Sequence, residues 1–440
     1  MEQLILFIGK GPSLERAQAG KYRQANYFLP GHPEETFRTP FVAEALIELT
    51  DRDFDRVHIF GTSDAMWNVL LDHAGHEFDD ETVTYLLQLE EKRPDGLPLP
   101  LRKRIRESLS SHLRVPVEPH LIPVGRSNDE YWEILQRLAR LDLKEGRVSV
   151  DLTHSLRSHP VFLLLALSYF RAIRDDLSLG SVYYGAYVLA EDYFDDDSPI
   201  FDLRPMVELL DWIDAAQAFD RYGDATPLAS LLRDSNADLE DLAKRSEYVS
   251  RVFQLNTLSK VDRRTEKLIK HLENLPDDSP LPLQLIAPRL RRLPDKLQNR
   301  PAWETTLITA REHWESYRAA PAVLAVWEAI IERLAAAYGL GSVSFEDRVL
   351  LKRLAQDKKY AWSIGGPDFL SEFPNRASTL KDYRNAIAHS HQGQRNDIEA
   401  DQVYNHFPGL LTYFEEALGI NDIDDLPSAV PLSRYDYEGD

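Results

Sequence analysis

The chain has 440 residues, no cysteine and a formal net charge of −21 at pH 7. Its length predicts two or three domains, and the absence of cysteine excludes disulfides, thiolate metal sites and cysteine nucleophiles. The negative charge argues against a long nonspecific nucleic-acid surface, because each phosphate contact needs local positive charge. A small basic cleft is still compatible with this charge.

No run of about eighteen apolar residues is present, which argues against a membrane-spanning helix. The first residues, MEQLILFIGKG, lack a basic lead and a small-residue cleavage site, so they predict a strand rather than a signal peptide. We therefore expect a cytoplasmic protein. Three basic segments, at residues 102–106, 263–271 and 289–300, are either solvated helix faces or parts of a basic cleft.

Short apolar runs alternate with longer helical patterns over the first two hundred residues. The runs predict strands at 4–9, 57–62, 119–125, 147–152 and 181–188. The patterns between them predict helices at 41–50, 64–74, 81–92, 129–141 and 159–173. This alternation predicts an α/β, Rossmann-like domain with a mostly parallel sheet, in which ligands bind beyond the carboxyl ends of the strands.

The strand patterns stop at about residue 204, and helical periodicity follows. We expect an α/β domain over residues 1–203, an all-α connector over 204–298 and an all-α domain over 299–440. A proline-rich segment around 274–295 predicts a hinge. Acidic runs at 192–202 and 421–427 lack the glycine and the ligand spacing of a calcium loop. They predict solvated loops, and the acidic tail predicts a loosely held end.

Three predicted strand ends have polar or glycine-containing turns: GKGPS at 9–13, GTSDAMW at 61–67 and DLTHSLRS at 151–158. The first lacks the Walker spacing, and no GxGxxG precedes a helix, so neither an ATPase nor a dehydrogenase is predicted. In the third, the free amides of the following helix, together with Thr153, Ser155 and Arg157, suit a phosphate or a ribose hydroxyl. Alternatively, Thr153 and Ser155 cap the helix and His154 is structural.

Together with VYYGAY in a late strand, these turns resemble the CARF domain of CRISPR-associated proteins over roughly residues 1–200. The resemblance implies a sensor that dimerises and binds a cyclic oligoadenylate across the two-fold axis, with cyclic tetra-adenylate favoured over hexa-adenylate. Some CARF domains also cleave their ligand slowly, and that possibility stays open. The ligand-binding residues that the resemblance implies are Gly9, Lys10, Gly11, Gly61, Thr62, Ser63, Thr153, His154, Ser155 and Arg157.

The stretch YRNAIAHS at 383–390 places polar residues within a small and apolar run. On a helix that turns about 100° per residue, Asn385 and His389 share a face, whereas Arg384 and His389 diverge by about 140°. Arg384 and His389 therefore do not meet within one straight helix. Either the helix buries Ile387 and holds the polar residues at its rim as structural groups, or they belong to a site.

The segment Arg384–His389 also resembles the R-x4-H motif of HEPN ribonucleases, which are all-helical. Its position after a CARF-like domain is similar to the order in ancillary ribonucleases of the Csx/Csm type, from type III CRISPR systems. The resemblance implies metal-independent cleavage of single-stranded RNA, with no cofactor and with Arg384, Asn385 and His389 as catalytic residues. Because one copy supplies a single histidine and arginine, we expect a site shared within a homodimer or a higher oligomer.

These residue types suit the implied chemistry. Histidine titrates near neutral pH and can move a proton to or from the reacting oxygens, and arginine stabilises added charge on the phosphate. No HExxH or GxSxG motif is present, and the carboxyl-terminal half shows no convincing strand for paired carboxylates. The first hypothesis is an allosteric endoribonuclease. The alternative is a non-catalytic, ligand-responsive regulator that acts through a protein or DNA partner.

Overall fold

The structure is a computed structural model that describes residues 2–10, 24–50, 52–92, 96–143, 146–154, 158–194, 196–258, 261–359, 362, 368–389 and 398–435. Gly11, Ser155, Arg157 and the side chain of His389, all predicted site residues, lie outside this description. The chain divides into two compact units, residues 1–208 and residues 209–440. None of the helices described is both long and apolar enough to span a membrane.

The first unit contains strands and helices in alternation. Its strands are β1 (Glu2–Ile8), β2 (Ala25–Leu29), β3 (His32–Thr39), β4 (Arg56–Gly61), β5 (Val117–Leu121), β6 (Gly146–Asp151), β7 (Leu177–Gly185) and β8 (Asp197–Asp202). Its helices are α1 (Val42–Leu49), α2 (Trp67–His73), α3 (Asp80–Lys92), α4 (Leu99–Leu113), α5 (Asn128–Ala139), α6 (Ser158–Ile173), α7 (Ala190–Tyr193) and α8 (Arg204–Val207).

The strands form one sheet in the order β3-β2-β8-β7-β6-β1-β4-β5. The pairs β1–β4, β1–β6, β4–β5, β6–β7 and β2–β8 are parallel, whereas β2–β3 and β7–β8 are antiparallel. Along β1, Leu4, Leu6 and Ile8 join one hydrophobic core, and Ile5 and Phe7 join the other. Alternate side chains point to opposite faces of a strand, so both faces are covered. The predicted α/β architecture is confirmed.

Strands β2, β3 and β8 were not predicted, and β8 corrects the interpretation of residues 192–202 as a solvated acidic loop. Pro199 and Ile200 lie in a buried stretch of β8 that pairs with its neighbours on both sides. The acidic residues accept internal hydrogen bonds: Asp197 Oδ1 from Asn26 Nδ2 at 2.6 Å, and Asp202 Oδ1 from the Val182 amide at 3.0 Å. These carboxylates therefore fix the ends of the strand.

In its described residues the second unit is entirely helical, which confirms the predicted all-α region. Its helices are α9 (Leu209–Tyr222), α10 (Thr226–Ser235), α11 (Glu240–Gln254), α12 (Val261–Glu273), α13 (Leu281–Leu290), α14 (Arg292–Leu297), α15 (Ala302–Glu315), α16 (Ala319–Ala337), α17 (Phe345–Ala355), α18 (Phe373–His389), α19 (Ala400–Ala417) and α20 (Leu426–Ala429). A further division near residue 298 stays a prediction.

The proline-rich segment predicted as a hinge is helical over most of its length, as α13 and α14. Pro282 lies in the first turn of α13, where a helix has no use for the missing amide hydrogen. Pro288 lies inside α13 but close to its end, so it removes a hydrogen bond only from the final turn. Leu283 and Leu290 are buried and pack the helix into the unit.

The acidic tail is packed rather than loose as far as it is described. Ile423 and Val430 are fully buried in the core of the second unit. The buried Arg333 side chain donates to the Leu418 carbonyl at 2.9 Å and to Asp424 Oδ1 at 2.6 Å. The apolar residues recur every three or four positions, which lets one face of the tail close over α16, and the acidic residues occupy the positions between them.

Two buried histidines lie on adjacent strands of the first unit. Nδ1 of His58 on β4 is 3.1 Å from Nε2 of His120 on β5, and His58 Nε2 is 2.8 Å from Gln3 Oε1. The His120 ring stacks on Phe60, with the ring centres 4.6 Å apart. Burial lowers the pKa of His58 to about 4, with a further contribution from the charge of Arg56. Burial likewise lowers the pKa of His120 to about 3.

We expect the unfolding temperature to fall as the pH drops from about 6.5 towards 4. Both pKa values are lower in the folded chain than the ordinary 6.5, so the unfolded chain binds more protons in this window and acid favours unfolding. Each pKa unit corresponds to about 1.4 kcal/mol. His120→Gln, which cannot be protonated, should weaken this pH dependence in circular-dichroism melts. The control is His32→Gln, because His32 is exposed. Equal slopes in wild type and His120→Gln would contradict the prediction.

Candidate functional site

The predicted ligand-binding residues that the structure describes lie at one edge of the sheet. Strands β4 and β6 flank β1 in parallel, so their carboxyl ends are neighbours. The predicted residues at these ends are Gly9–Lys10, Gly61–Ser63 and Thr153–His154. The Met66 amide donates to the Gly9 carbonyl at 3.0 Å, and Lys10 forms a bridge with Ala65. The loops after β1 and β4 are therefore joined by backbone hydrogen bonds.

The loop after β4 is held by a tryptophan beneath it. A Cβ atom at Gly61 would lie 2.6 Å from Trp67 Cζ2 and 2.8 Å from an Ile8 side-chain atom, so only glycine fits this position. Trp67 Nε1 donates to the Thr62 carbonyl at 2.9 Å, and Ser63 Oγ donates to an Asp64 carboxylate oxygen at 3.1 Å. Sequence reasoning identified the glycine and the two hydroxyls, but it missed the supporting role of Trp67.

The loop after β6 is organised by Asp151, the last residue of that strand. Asp151 Oδ1 accepts from the Thr153 amide at 2.9 Å and from Thr153 Oγ1 at 2.5 Å. Thr153 Oγ1 accepts in turn from the Gly185 amide at 2.7 Å. The hydroxyl of Thr153 is thus engaged within the protein and ties the loop to the end of β7. Sequence reasoning assigned no role to Asp151, although it is the first residue of the polar segment DLTHSLRS.

The buried Asp151 and the half-buried His154 lie at the same edge. In the described part of the chain, neither His154 Nε2 nor Asp151 Oδ2 has a hydrogen-bond partner. Burial lowers the pKa of His154, although the charge of Asp151 opposes the shift, so the imidazole is neutral at neutral pH. Burial raises the pKa of Asp151, although the charge of His154 opposes that shift. Buried polar atoms normally have partners, so a ligand with hydrogen-bonding groups would satisfy both atoms.

The candidate catalytic residues lie in the last two turns of α18. Arg384 Nη1 donates to Asn385 Oδ1 at 3.1 Å, and both side chains are half-buried. Ile387 packs against the core, as expected for the buried side of the helix. His389 is the final residue of α18. The structure thus brings Arg384 and Asn385 together, and the position of the His389 imidazole stays a prediction.

A second histidine lies next to this helix. The hydroxyl of the buried Tyr383 is 3.0 Å from Nδ1 of His406, which belongs to α19. Tyr383 directly precedes Arg384, so His406 helps to fix the turn that contains the candidate arginine. Sequence reasoning missed His406, because no motif surrounds it and its partner lies on another helix.

Two separate regions of the chain match family models of known proteins. Residues 4–186 match the family model described as CRISPR system endoribonuclease Csx1, CARF domain. Residues 208–301 match the model of the second domain of CRISPR-associated protein MJ1674. The predicted resemblance of the amino-terminal region to a CARF domain is confirmed by the first match.

Two individual proteins align with 90% or more of the chain. CRISPR-associated protein MJ1674 of Methanocaldococcus jannaschii is 25% identical over 419 residues, which cover 90% of this chain and 63% of that protein. The chain therefore spans less than two thirds of the length of that relative. The structure of Enterococcus italicus Csm6 bound to cyclic hexa-2′-fluoro-hexa-dAMP aligns over 99% of both chains, with 10% identity and a TM-score of 0.39.

Removal of the Thr153 hydroxyl should destabilise the loop after β6. Thr153→Val leaves the buried Asp151 carboxylate and the Gly185 amide each without one partner, and we expect the free energy of unfolding to fall by about 1–3 kcal/mol. Thr153→Ser keeps the hydroxyl and should stay within about 0.5 kcal/mol of wild type. Urea unfolding of the full chain measures both changes. Equal losses in the two variants would show that the hydrogen bonds are not the cause.

Proposed function

We propose that this protein, whose residues 4–186 form a CARF domain, is an endoribonuclease of type III CRISPR defence that a cyclic oligoadenylate activates. The observation that carries the proposal is the combination of two features in one chain. The CARF sheet gathers three polar loops at one edge, and the helical unit ends a long helix with Arg384, Asn385 and His389. The first feature supports a nucleotide sensor and the second a HEPN ribonuclease domain.

The loops at the sheet edge suit a cyclic oligoadenylate. The exposed Lys10 supplies positive charge for a phosphate, and the neutral His154 supplies a buried nitrogen for a base or a ribose hydroxyl. The close packing around Gly61 fixes the backbone of Thr62 and Ser63 before any ligand arrives. We include Gly11, Ser155 and Arg157 in the same site by their sequence positions, and we favour cyclic tetra-adenylate over hexa-adenylate.

The chemistry that we assign to the helical unit is metal-independent cleavage of single-stranded RNA. A ribose 2′-hydroxyl loses its proton to a base, its oxygen bonds to the adjacent phosphorus, and the bond to the 5′-oxygen breaks. The leaving oxygen takes a proton, which yields a 2′,3′-cyclic phosphate and a 5′-hydroxyl. His389 serves as the proton-transfer group. Arg384 stabilises the added charge on the phosphate, and Asn385 binds a phosphate oxygen or orients the histidine.

A homodimer would supply two copies of these residues to one groove. An apolar stripe on α6 supports it: Val161, Leu165, Tyr169 and Ile173 recur every four residues and are 61%, 62%, 55% and 58% exposed. Four large apolar side chains on one helix face are more than isolated exposed residues, and a contiguous patch of this kind marks an interaction site. We assign the stripe to the contact between two CARF domains.

Activation requires the ligand to favour one arrangement of the protein. A ligand shifts an equilibrium only by the difference between its affinities for the two states. The cyclic oligoadenylate must therefore bind the cleaving arrangement more tightly than the resting one.

The alternative function is a non-catalytic regulator that responds to the same ligand and acts through a protein or DNA partner. The hydrogen bond from Arg384 to Asn385 favours the regulator, because the two side chains bind each other without a substrate. Under this alternative, His389 has only a structural role.

Cyclic tetra-adenylate should stimulate cleavage of single-stranded RNA in the presence of EDTA. His389→Ala should lower the cleavage rate by about 10²–10⁴-fold, which is the contribution expected of a proton-transfer group. Arg384→Ala should lower it by about 10²–10³-fold. The measurement is the initial rate on a labelled RNA, with cyclic hexa-adenylate in a parallel series.

The matched control is Arg348→Ala. Arg348 lies in the same unit and pairs with Glu328 at 2.7 Å on the surface, so its loss should leave the rate unchanged. Ligand binding without cleavage would favour the regulator, and full activity of His389→Ala would exclude the assigned role of that residue.

A charge in the apolar stripe should separate the protomers. Leu165 is exposed in the single chain, so Leu165→Asp should change the free energy of unfolding little. The substitution places an unpaired carboxylate within the proposed contact, which should weaken the dimer. We expect sedimentation equilibrium to show at least a tenfold weaker dimer. Trp132→Asp serves as the control, because Trp132 is 63% exposed on another helix. A wild-type monomer, or equal dimerisation of Leu165→Asp and wild type, would remove this assignment.

A further inference from the structure

Three ionisable side chains converge in the first unit, outside both candidate sites. Glu44 lies on α1, His73 ends α2, and His112 lies in the last turn of α4. His73 Nε2 is 2.7 Å from one carboxylate oxygen of Glu44, and His112 Nε2 is 2.7 Å from the other. One ligand atom from each residue lies within 4.8 Å of the others, so the three groups surround a common point.

The three side chains of this cluster are largely covered by the surrounding protein. The exposed fractions of the Glu44, His73 and His112 side chains are 13%, 21% and 29%. The other cluster of possible metal ligands in the described residues, His32 with two glutamates of β3, is exposed throughout. Thr39 also donates its hydroxyl hydrogen to Glu44 Oε2, the carboxylate oxygen that faces His73, and so helps to orient the carboxylate. Groups that bind metals are commonly oriented by outer hydrogen bonds of this kind.

The relative placement of the two imidazoles fits coordination to one ion. Their ring centres are 5.2 Å apart and their planes are inclined by 73°. Two imidazoles that bind a tetrahedral zinc ion through Nε2, with zinc–nitrogen distances of about 2.0–2.1 Å, have ring centres about 5 Å apart. Two histidines that only form hydrogen bonds to one carboxylate need not have their ring centres at this separation.

We propose that Glu44, His73 and His112 bind one Zn²⁺ ion, with the fourth position open to water. Two histidines and one glutamate are a donor set that zinc takes in proteins. The nitrogen–oxygen distances of 2.7 Å are hydrogen-bond distances. In a tetrahedral site they would widen to about 3.3 Å, a change that small rotations of the glutamate side chain provide.

The ion would connect three helices next to the ligand edge. Phe41 directly precedes α1, and its ring centre is 5.8 Å from that of His73 and 6.2 Å from that of His154. One aromatic ring therefore separates the proposed zinc site from the candidate ligand site. The zinc site braces α1, α2 and α4, and no step of the proposed RNA cleavage involves it.

Metal binding by the full-length protein tests the proposal directly. After treatment with EDTA and gel filtration, the protein is titrated with ZnCl₂ by calorimetry, and the retained metal is measured by mass spectrometry. We expect one Zn²⁺ per chain and a higher unfolding temperature with zinc than with Mg²⁺, because an ion that binds only the folded state stabilises it. Cobalt substitution should give the intense visible absorption of a tetrahedral site.

Single substitutions separate a metal site from a hydrogen-bonded cluster. His73→Gln and His112→Gln should each lower zinc affinity at least 100-fold, whereas His32→Gln, in the exposed cluster, should not change it. A wild-type chain that retains no zinc, or variants that lose stability but bind zinc as wild type does, would overturn the proposal. Because the readout is bound metal, the result is independent of RNA cleavage.

Discussion

The buried central strand β1 is the constraint on which the first unit depends. Residues Leu4 to Ile8 are at most 4% exposed, so both faces must be covered by helices, and this favours parallel neighbours linked by crossovers. Parallel pairing with β4 and β6 then forces three carboxyl ends to the same edge. The polar loops meet there because of this pairing. The candidate sensor edge is thus a consequence of how β1 is buried.

Strands of the central sheet could be predicted because their apolar runs are continuous. The edge strand β3 could not be predicted, because only Thr39 of its eight residues is buried and its sequence has no alternation of apolar and polar residues. Strand β8 was not predicted for a different reason. Its acidic ends resemble a solvated loop in the sequence, and the groups that donate hydrogen bonds to them, Asn26 Nδ2 and the Val182 amide, are far away in the sequence. Burial is visible in composition, whereas pairing across long sequence distances is not.

The same limit applies to the candidate sites. Gly61 and the turn after β6 were predicted from their positions at strand ends. The hydrogen bond from the Gly185 amide to Thr153 Oγ1 joins residues 32 positions apart, and no sequence motif indicates it. Glu44 and His112 are 68 residues apart, so no spacing motif indicates the proposed zinc site. In the helical unit, the helical period fixed the relative directions of Arg384 and His389. It gave no indication of the contact between Tyr383 and His406.

Helix α6 begins at Ser158, four residues after His154, and its exposed stripe starts at Val161. A residue of the candidate ligand edge and the first residue of the proposed dimer contact are therefore close to each other in the sequence. By thermodynamic reciprocity, a ligand that binds the dimer more tightly must strengthen dimerisation by the same factor. If the protein dimerises as proposed, formation of the ligand-bound dimer would depend on both the concentration of the cyclic nucleotide and the concentration of the protein. Its threshold for the cyclic nucleotide would fall as the cell makes more of the protein.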